Sequence, residues 1–453
     1  MEVLKMKKRL LVTIFALALA CVGLTACGGS GDSDVTASGK KVITMWSTYT
    51  EASNLKLTEL VAKFNAQSDK YELKMEIGQS ASPVRQKLSN STQENYPSLF
   101  MGTNNAIIEY AESAYTAPIQ QFIDEDEDKW ADGILATVKE AFSDTEGNLI
   151  GVPVGTSVKG YMVNLDYLTE AGYELEDITS FEKAAEIAQA AKTKDICQYG
   201  YIPADGSDIM NMLLYQGVNL FDKQDGYAGD ATKCIYDEGD TNKVLYKYCQ
   251  ILSELYKTEA AMKNANGADG GTSAFINGKA MLWSTTSSFV YEFADVDMDF
   301  EWAFIPFKGV DDNAKNKDVV FAEGTAIFIG NTGDKEEMKG AYEVIKFFAK
   351  PENQIFWCTF RGYTPYTKEA LTSQEWINWR DANHPYEAAL EPLLDNANMK
   401  LRFPNVTIIT QVLAVNKELT SYIAADPTGD LNSYIKTAKD SLQRSLDMAN
   451  AHK

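Results

Sequence analysis

The sequence predicts an α/β protein built as two large domains, and three observations support this. From Val42 onward, short apolar runs alternate with amphipathic helical segments, and such alternation implies a parallel sheet with helices on both faces. Val42 to Lys453 leaves 412 residues for folded structure, which at ~100–200 residues per domain suggests two large domains, with three possible. An apolar fraction of 45% is ample for real cores.

Taken in order, Val42-Ile43-Thr44-Met45-Trp46-Ser47 reads as a buried strand. From Leu55 to Gln67, Leu55, Leu57, Leu60, Val61 and Phe64 are assigned to one helical face, with Lys56, Glu59 and Lys63 outside. Tyr71 to Gly78 alternates apolar and polar, as a half-buried strand does. Pro83 opens a helix through about Gln93, Pro97 to Gly102 is a third apolar run, and Ala106 to Tyr115 is helical. Asn148–Val154 and Lys159–Asn164 are strands, and Ser180 is an N-cap for a helix through about Lys192. Lys243–Tyr256 and Thr272–Asn277 are helical; Lys279–Ser284, Trp302–Pro306 and Val319–Ile329 are strands. An amphipathic helix over Glu336–Ala349 stops at Lys350-Pro351, and the remainder is mostly helical.

The first 41 residues are an address. Lys5, Lys7, Lys8 and Arg9 precede an uncharged apolar run, Leu10 to Gly23, and then Leu24-Thr25-Ala26-Cys27. A basic start, a short apolar stretch and small residues before a cut site make a secretory signal peptide over 1–26. The run is short for a membrane span, which needs ~20 apolar residues. Leu-Thr-Ala-Cys resembles the bacterial lipobox, which implies lipidation (palmitate) at Cys27 and a chain tethered to the outer face of the cell membrane. Residues 27–41, rich in Gly, Ser and Asp, read as a flexible tether. A lipid-held protein of this kind points to a single-membrane, Gram-positive bacterium.

Charge and composition exclude several classes. The formal charge is −22, and loss of a leader carrying +3 leaves the mature chain near −25. That argues against nucleic acid, which requires a positive footprint, and against a body held to anionic lipid. Cys197, Cys234, Cys249 and Cys358 are widely spaced with no Cys-x-x-Cys pair; buried thiols are expected rather than a disulfide framework. His384 and His452 are the only histidines, so neither a metal pair nor a Ser/His/Asp triad is expected, and His384 reads as structural. Asp124 to Asp128 lacks the ligand spacing of a calcium loop and reads as a solvated acidic loop. No phosphate loop or dinucleotide fingerprint is present, and no cofactor is implied.

Motifs in fixed order then give the chain a resemblance. Leu149-Ile150-Gly151-Val152-Pro153 leads to Tyr161-Met162-Val163-Asn164 and Leu168-Thr169-Glu170-Ala171-Gly172; Phe275-Ile276-Asn277-Gly278-Lys279-Ala280-Met281 follows. Near the end stand Lys346 to Gln354, Trp357 and Arg361-Gly362-Tyr363-Thr364-Pro365. This series resembles the extracellular solute-binding proteins, family 1, of bacterial ABC sugar importers. The resemblance implies a two-lobed, periplasmic-binding-protein-like fold. Each lobe is a doubly wound sheet, three hinge crossovers join the lobes near Val154, Glu323 and Tyr363, and the ligand cleft lies between them. Residues 42–154 plus 324–362 would form the N-terminal lobe, and 155–323 plus 363–453 the C-terminal lobe. The implied function is capture of a carbohydrate, such as an oligosaccharide, by hinge closure and its delivery to a membrane permease with its ATPase; the implied state is a monomer, and no enzyme activity is implied.

The C-terminal third is most similar to the glycerol-3-phosphate-binding branch. That branch implies ligand contacts at Thr156 or Ser157, Thr285 or Thr286, Gly324 and Tyr363. Its phosphate-holding arginine does not carry over: the neighbourhood reads Thr410-Gln411-Val412-Leu413. An amide at Gln411 in place of a charge clamp favours a neutral polyol over glycerol 3-phosphate or a related polyol phosphate, which stays as the alternative. Sugars need flat rings for their C–H faces and planar polar groups for their hydroxyls. Trp46 and Trp283 are read at strand ends, as stacking platforms or as core. Gln79, Thr103, Asn104 and Thr285 follow apolar strands, and the Glu323 carboxylate could accept hydroxyl donors. Asp205 and Asp208 read as solvated turn residues, Arg402 as a structural ion-pair member, and Trp302, Trp357, Trp376 and Trp379 as core or lobe surface. A surface glycosidase remains a rival of another class, since 64 acidic residues guarantee some carboxylate pair at a suitable spacing.

Overall fold

Two mixed sheets carry the architecture in the computed structural model, which describes residues 36–451 apart from 37, 50, 78–79, 205, 264, 266–269, 294–295, 297 and 397–400. The leader, Cys27, most of the tether, Gln79 and Asp205 therefore lie outside the described residues. The first sheet holds β1 (Lys41–Ser47), β2 (Tyr71–Ile77), β3 (Leu99–Thr103), β4 (Thr116–Ala117), β5 (Gly151–Pro153) and β10 (Thr325–Gly330), ordered β2-β1-β3-β10-β4 with β5 also paired to β10. The second holds β6 (Lys159–Asn164), β7 (Tyr199–Ile202), β8 (Ala280–Thr286) and β9 (Trp302–Pro306), ordered β7-β8-β6-β9.

The expected parallel sheet is only part of each lobe. β1 is parallel to β2 and β3, and β7 to β8, but β10 runs against β3 and β6 runs against β8 and β9. The reason is the crossing chain. β10 enters its sheet from the other lobe, so its first residue, Thr325, pairs with Thr103 at the end of β3. β6 likewise starts with Lys159 opposite Thr286 at the end of β8. A strand that begins where its neighbours end must run antiparallel to them.

The helices of eight residues or more are α1 (Glu51–Gln67), α2 (Ala81–Ser89), α3 (Phe181–Thr193), α4 (Ser207–Gln216), α5 (Gly239–Lys257), α6 (Lys335–Ala349), α7 (Pro351–Arg361), α8 (Gln374–Asn383), α9 (Glu387–Leu394), α10 (Ile409–Ala425) and α11 (Leu431–Asn450). Local chemistry sets several ends. The Ser180 hydroxyl accepts from Lys183 N at 3.3 Å at the start of α3, and Asp334 Oδ1 accepts from Glu336 N and Glu337 N at 2.9 and 3.1 Å at the start of α6. Pro351 ends α6 and opens α7, where its missing N–H costs nothing. In α1 Leu57, Leu60, Val61 and Phe64 are buried, but Leu55, assigned above to that face, is 72% exposed. Two residues are about 200° around a helix, so Leu55 and Leu57 cannot share a face.

The apolar core falls into two clusters. One centres on the first sheet with α1, α6 and α7; the other centres on α3, α4, α5, α10 and α11. The stretch from Tyr363 to Leu394 touches both lobes. Leu135 N donates to Tyr366 O at 3.0 Å, while the Tyr386 ring lies 5.6 Å from Trp302 and 5.7 Å from Phe304 on β9.

Candidate functional site

The three passages between the lobes are bonded to one another. Thr156 and Thr364 exchange backbone hydrogen bonds of 2.9 and 2.8 Å, and so do Ser157 and Glu323. The first passage (Val154 to Val158) is thus the middle strand of a short ribbon, with the second (Ala322 to Gly324) and third (Gly362 to Thr364) on either side. Gly324 is required by the closeness of two of them: a Cβ there would sit 2.7 Å from Gly155 O. Asn104 fixes the ribbon to the first lobe. Its Nδ2 donates to Ala322 O at 2.9 Å, and its Oδ1 accepts from Gly324 N at 3.3 Å.

A cavity of about 310 Å³ opens beside this ribbon. Thr103, Asn104 and Asn105 line it from the first lobe, and Ser157, Glu323, Gly324 and Tyr363 from the passages. Lys159, Met210, Asn211, Thr286, Ser288, Phe403 and Leu413 close it from the second lobe. Hydroxyls and amides dominate, with one carboxylate, one ammonium and two rings, Tyr363 and Phe403. Asn211 Nδ2 donates to Glu323 Oε1 at 3.1 Å, which holds that carboxylate at the wall. Such a lining matches neutral polar ligands with hydroxyl edges.

The residues singled out from sequence divide accordingly. Thr103, Asn104, Glu323, Gly324 and Tyr363 meet at the cavity. Thr156 is fully buried, its hydroxyl donating to Glu323 O at 3.2 Å, so it braces the ribbon; its neighbour Ser157 reaches the cavity. Thr285 is buried and its neighbour Thr286 lines the wall. Trp283 is 5% exposed and packs on Phe275 and Phe289, away from the lining. The reason is strand length: β8 runs on to Thr286, so Trp283 sits in mid-strand and not at its end. Trp46 is buried under Lys87, whose Nζ is 3.7 Å from the ring centre, and it too is outside the lining. Gln411 is exposed on α10 outside the lining, where Leu413 stands instead.

Met210 and Asn211 escaped the sequence reading because α4 did. Gly206 and Gly217, both left-handed, bracket it, and that pair of glycines around an apolar run was the available signal. Asp208 is not a solvated turn residue: it lies buried in α4 and accepts from the Ser284 hydroxyl at 2.5 Å. Tyr201 and Ile202, on the unexpected strand β7, are buried.

Outside the cleft, a cavity of about 650 Å³ on the first lobe includes Phe64, Trp130 and Phe347. Its Lys346 is already paired with Asp126 and Asp128 at 2.7 and 3.4 Å, so the acidic run is tied to α6 at both residues. Arg402 forms an ion pair with Glu140. The four cysteines are free and buried. His384 is buried among Trp379, Tyr386 and Trp302, and burial lowers its pKa to about 4. Trp376 is buried and donates to Glu391 at 2.7 Å, and Trp357 is buried against Tyr49.

The sn-glycerol-3-phosphate-binding periplasmic protein UgpB of Yersinia pestis is 23% identical over 324 residues, covering 70% of this chain and 72% of its own. The sugar-binding protein MalE of Xanthomonas citri matches in structure with a TM-score of 0.72 at 15% identity, over 90% of this chain and 98% of that one. An ABC substrate-binding protein of Listeria monocytogenes, in complex with cycloalternan, gives 0.71 at 16% identity, over 90% and 99%. These likenesses show a shared two-lobed fold. Residues 59–384 match the family model of the bacterial extracellular solute-binding proteins, most of the chain, and the protein belongs to that family.

Proposed function

We propose that this protein captures a carbohydrate between its lobes and hands it to an ABC permease. The observation that carries the reading is the lining at the three-strand ribbon: hydroxyls, amides and a braced Glu323 carboxylate, with Tyr363 and Phe403 as flat faces. Donors and acceptors suit sugar edges, and rings suit C–H faces. Solved relatives named for maltose, cycloalternan and ribitol share the fold and support the same class of ligand. Ligand contacts to both lobes would favour the closed conformer, with the ribbon at Val154–Val158, Ala322–Gly324 and Gly362–Thr364 as the hinge.

The family places its members outside the cytoplasm. We propose further that cleavage before Cys27 and its lipidation hold the monomer to the membrane, at high local concentration near its permease. Loss of membrane retention in Cys27→Ser tests the anchor.

A second reading has a specific support: the sequence relatives are named for sn-glycerol 3-phosphate. Titration calorimetry against mono- and oligosaccharides, polyols and glycerol 3-phosphate separates the two. Heat with a neutral sugar supports the first reading; binding confined to glycerol 3-phosphate supports the second; a folded protein silent to the panel defeats both.

A further inference from the structure

Besides the ribbon, side-chain bonds join the two lobes: Arg402 pairs with Glu140, and Arg85 reaches Thr410 beside the cavity. Arg85 stands on α2 of the first lobe. Its Nε lies 3.8 Å from Glu109 Oε2, and its Nη2 lies 3.4 Å from Asn105 Oδ1. Its Nη1 donates to the hydroxyl of Thr410, in the first turn of α10 on the second lobe. Asn105 lines the cavity on one side, and Leu413, one turn after Thr410, lines it on the other. Arg85 itself is not among the lining residues. It therefore links two facing walls without occupying the space a ligand would take.

We infer that Arg85 is a positioning residue for ligand capture, a latch whose bond to Thr410 exists only in the closed conformer. This rests on the reading of the cleft as the ligand site. The ribbon bonds lie within the hinge and survive opening, whereas a side-chain bond from α2 to α10 must break when the walls part. A contact made only in one conformer shifts the equilibrium toward it, and a ligand selective for that conformer gains affinity in proportion to the rise in its population. Glu109 and Asn105 hold the guanidinium in place beforehand, so little ordering is lost when the lobes meet.

The test is a double-mutant cycle of Arg85→Ala and Thr410→Val, read by titration calorimetry with the tightest sugar of the panel and by small-angle scattering of the ligand-free protein. A charge-assisted hydrogen bond corresponds to a loss of about tenfold in Kd for each single variant. The double variant is expected to be no weaker than either single one, the loss to fall on the dissociation rate, and Arg85→Lys to restore part of it. The ligand-free variants are expected to have a larger radius of gyration than the wild type. Unchanged affinity and scattering in Thr410→Val, or losses that simply multiply in the double variant, overturn the latch. If the wild type binds nothing in the panel, the ligand reading fails, and the scattering comparison alone then decides whether the latch exists.

Discussion

Glu387 lies fully buried beneath the third passage, where the Thr364 hydroxyl donates to its Oε2 at 2.5 Å and Oε1 has no partner among the described residues. Burial is the largest influence on it and raises its pKa from 4.5 to about 8; the Thr364 bond and Arg380 pull it down, and Glu391 pushes it up. The folded chain therefore keeps a proton that the unfolded chain releases across the window from pH 4.5 to about 8. Stability from this group is fully present below pH 4.5 and is lost as pH rises through about 8. The slope is about 1.4 kcal/mol per pH unit, so the whole window amounts to several kcal/mol. Glu387→Gln keeps the acceptor for Thr364 and cannot ionise. Its amide hydrogens gain no partner at Oε1, a pH-independent cost of about 1–3 kcal/mol. Urea unfolding of both proteins from pH 5 to pH 9 is the assay. The variant is expected to gain on the wild type by about 1.4 kcal/mol per unit up to pH 8 and then to run parallel. Parallel stability curves from pH 5 to pH 8 would refute the assignment of a neutral Glu387 under the hinge.

Three further outcomes follow from the same geometry. Tyr363→Ala, which removes a ring from the cavity wall, is expected to weaken sugar binding by about 1–3 kcal/mol in calorimetry with an unchanged circular dichroism spectrum. Trp283→Ala removes a buried ring from the core and is expected to cost about 3–5 kcal/mol of stability in urea unfolding, so equal stability would show that the ring is not packed as described. Gly324→Ala drives a Cβ against Gly155 O and is expected to cost about 1–3 kcal/mol of stability and to alter lobe closure in scattering; a variant indistinguishable from wild type in both would contradict the tight ribbon.

The passages were legible because they carry motifs at fixed positions: Glu323-Gly324 and Gly362-Tyr363-Thr364 need their glycines for close approach and a left-handed turn, at Gly362 with φ 62°. The alternation of strands and helices was equally plain, since apolar periodicity is a local property. What escaped depends on partners distant in the chain. The direction of β6 and β10 is set by which lobe the chain arrives from. The true end of β8 is set by pairing of Thr285 and Thr286 with Gly160 and Lys159, which no pattern around Trp283 reveals. Asn211 needed both α4 and its distant partner Glu323 to be seen as part of the site. Arg85 and Thr410 lie 325 residues apart in the chain, and only the tertiary fold brings them together.

The most direct test is a crystal structure of the protein with the tightest-binding sugar of the panel. The sugar is expected between the lobes, with its C–H face on Tyr363 or Phe403 and hydroxyls on Glu323 and Asn211. A sugar bound elsewhere, or one in the cleft touching a single lobe and leaving Glu323 without a contact, would contradict capture by closure at this site.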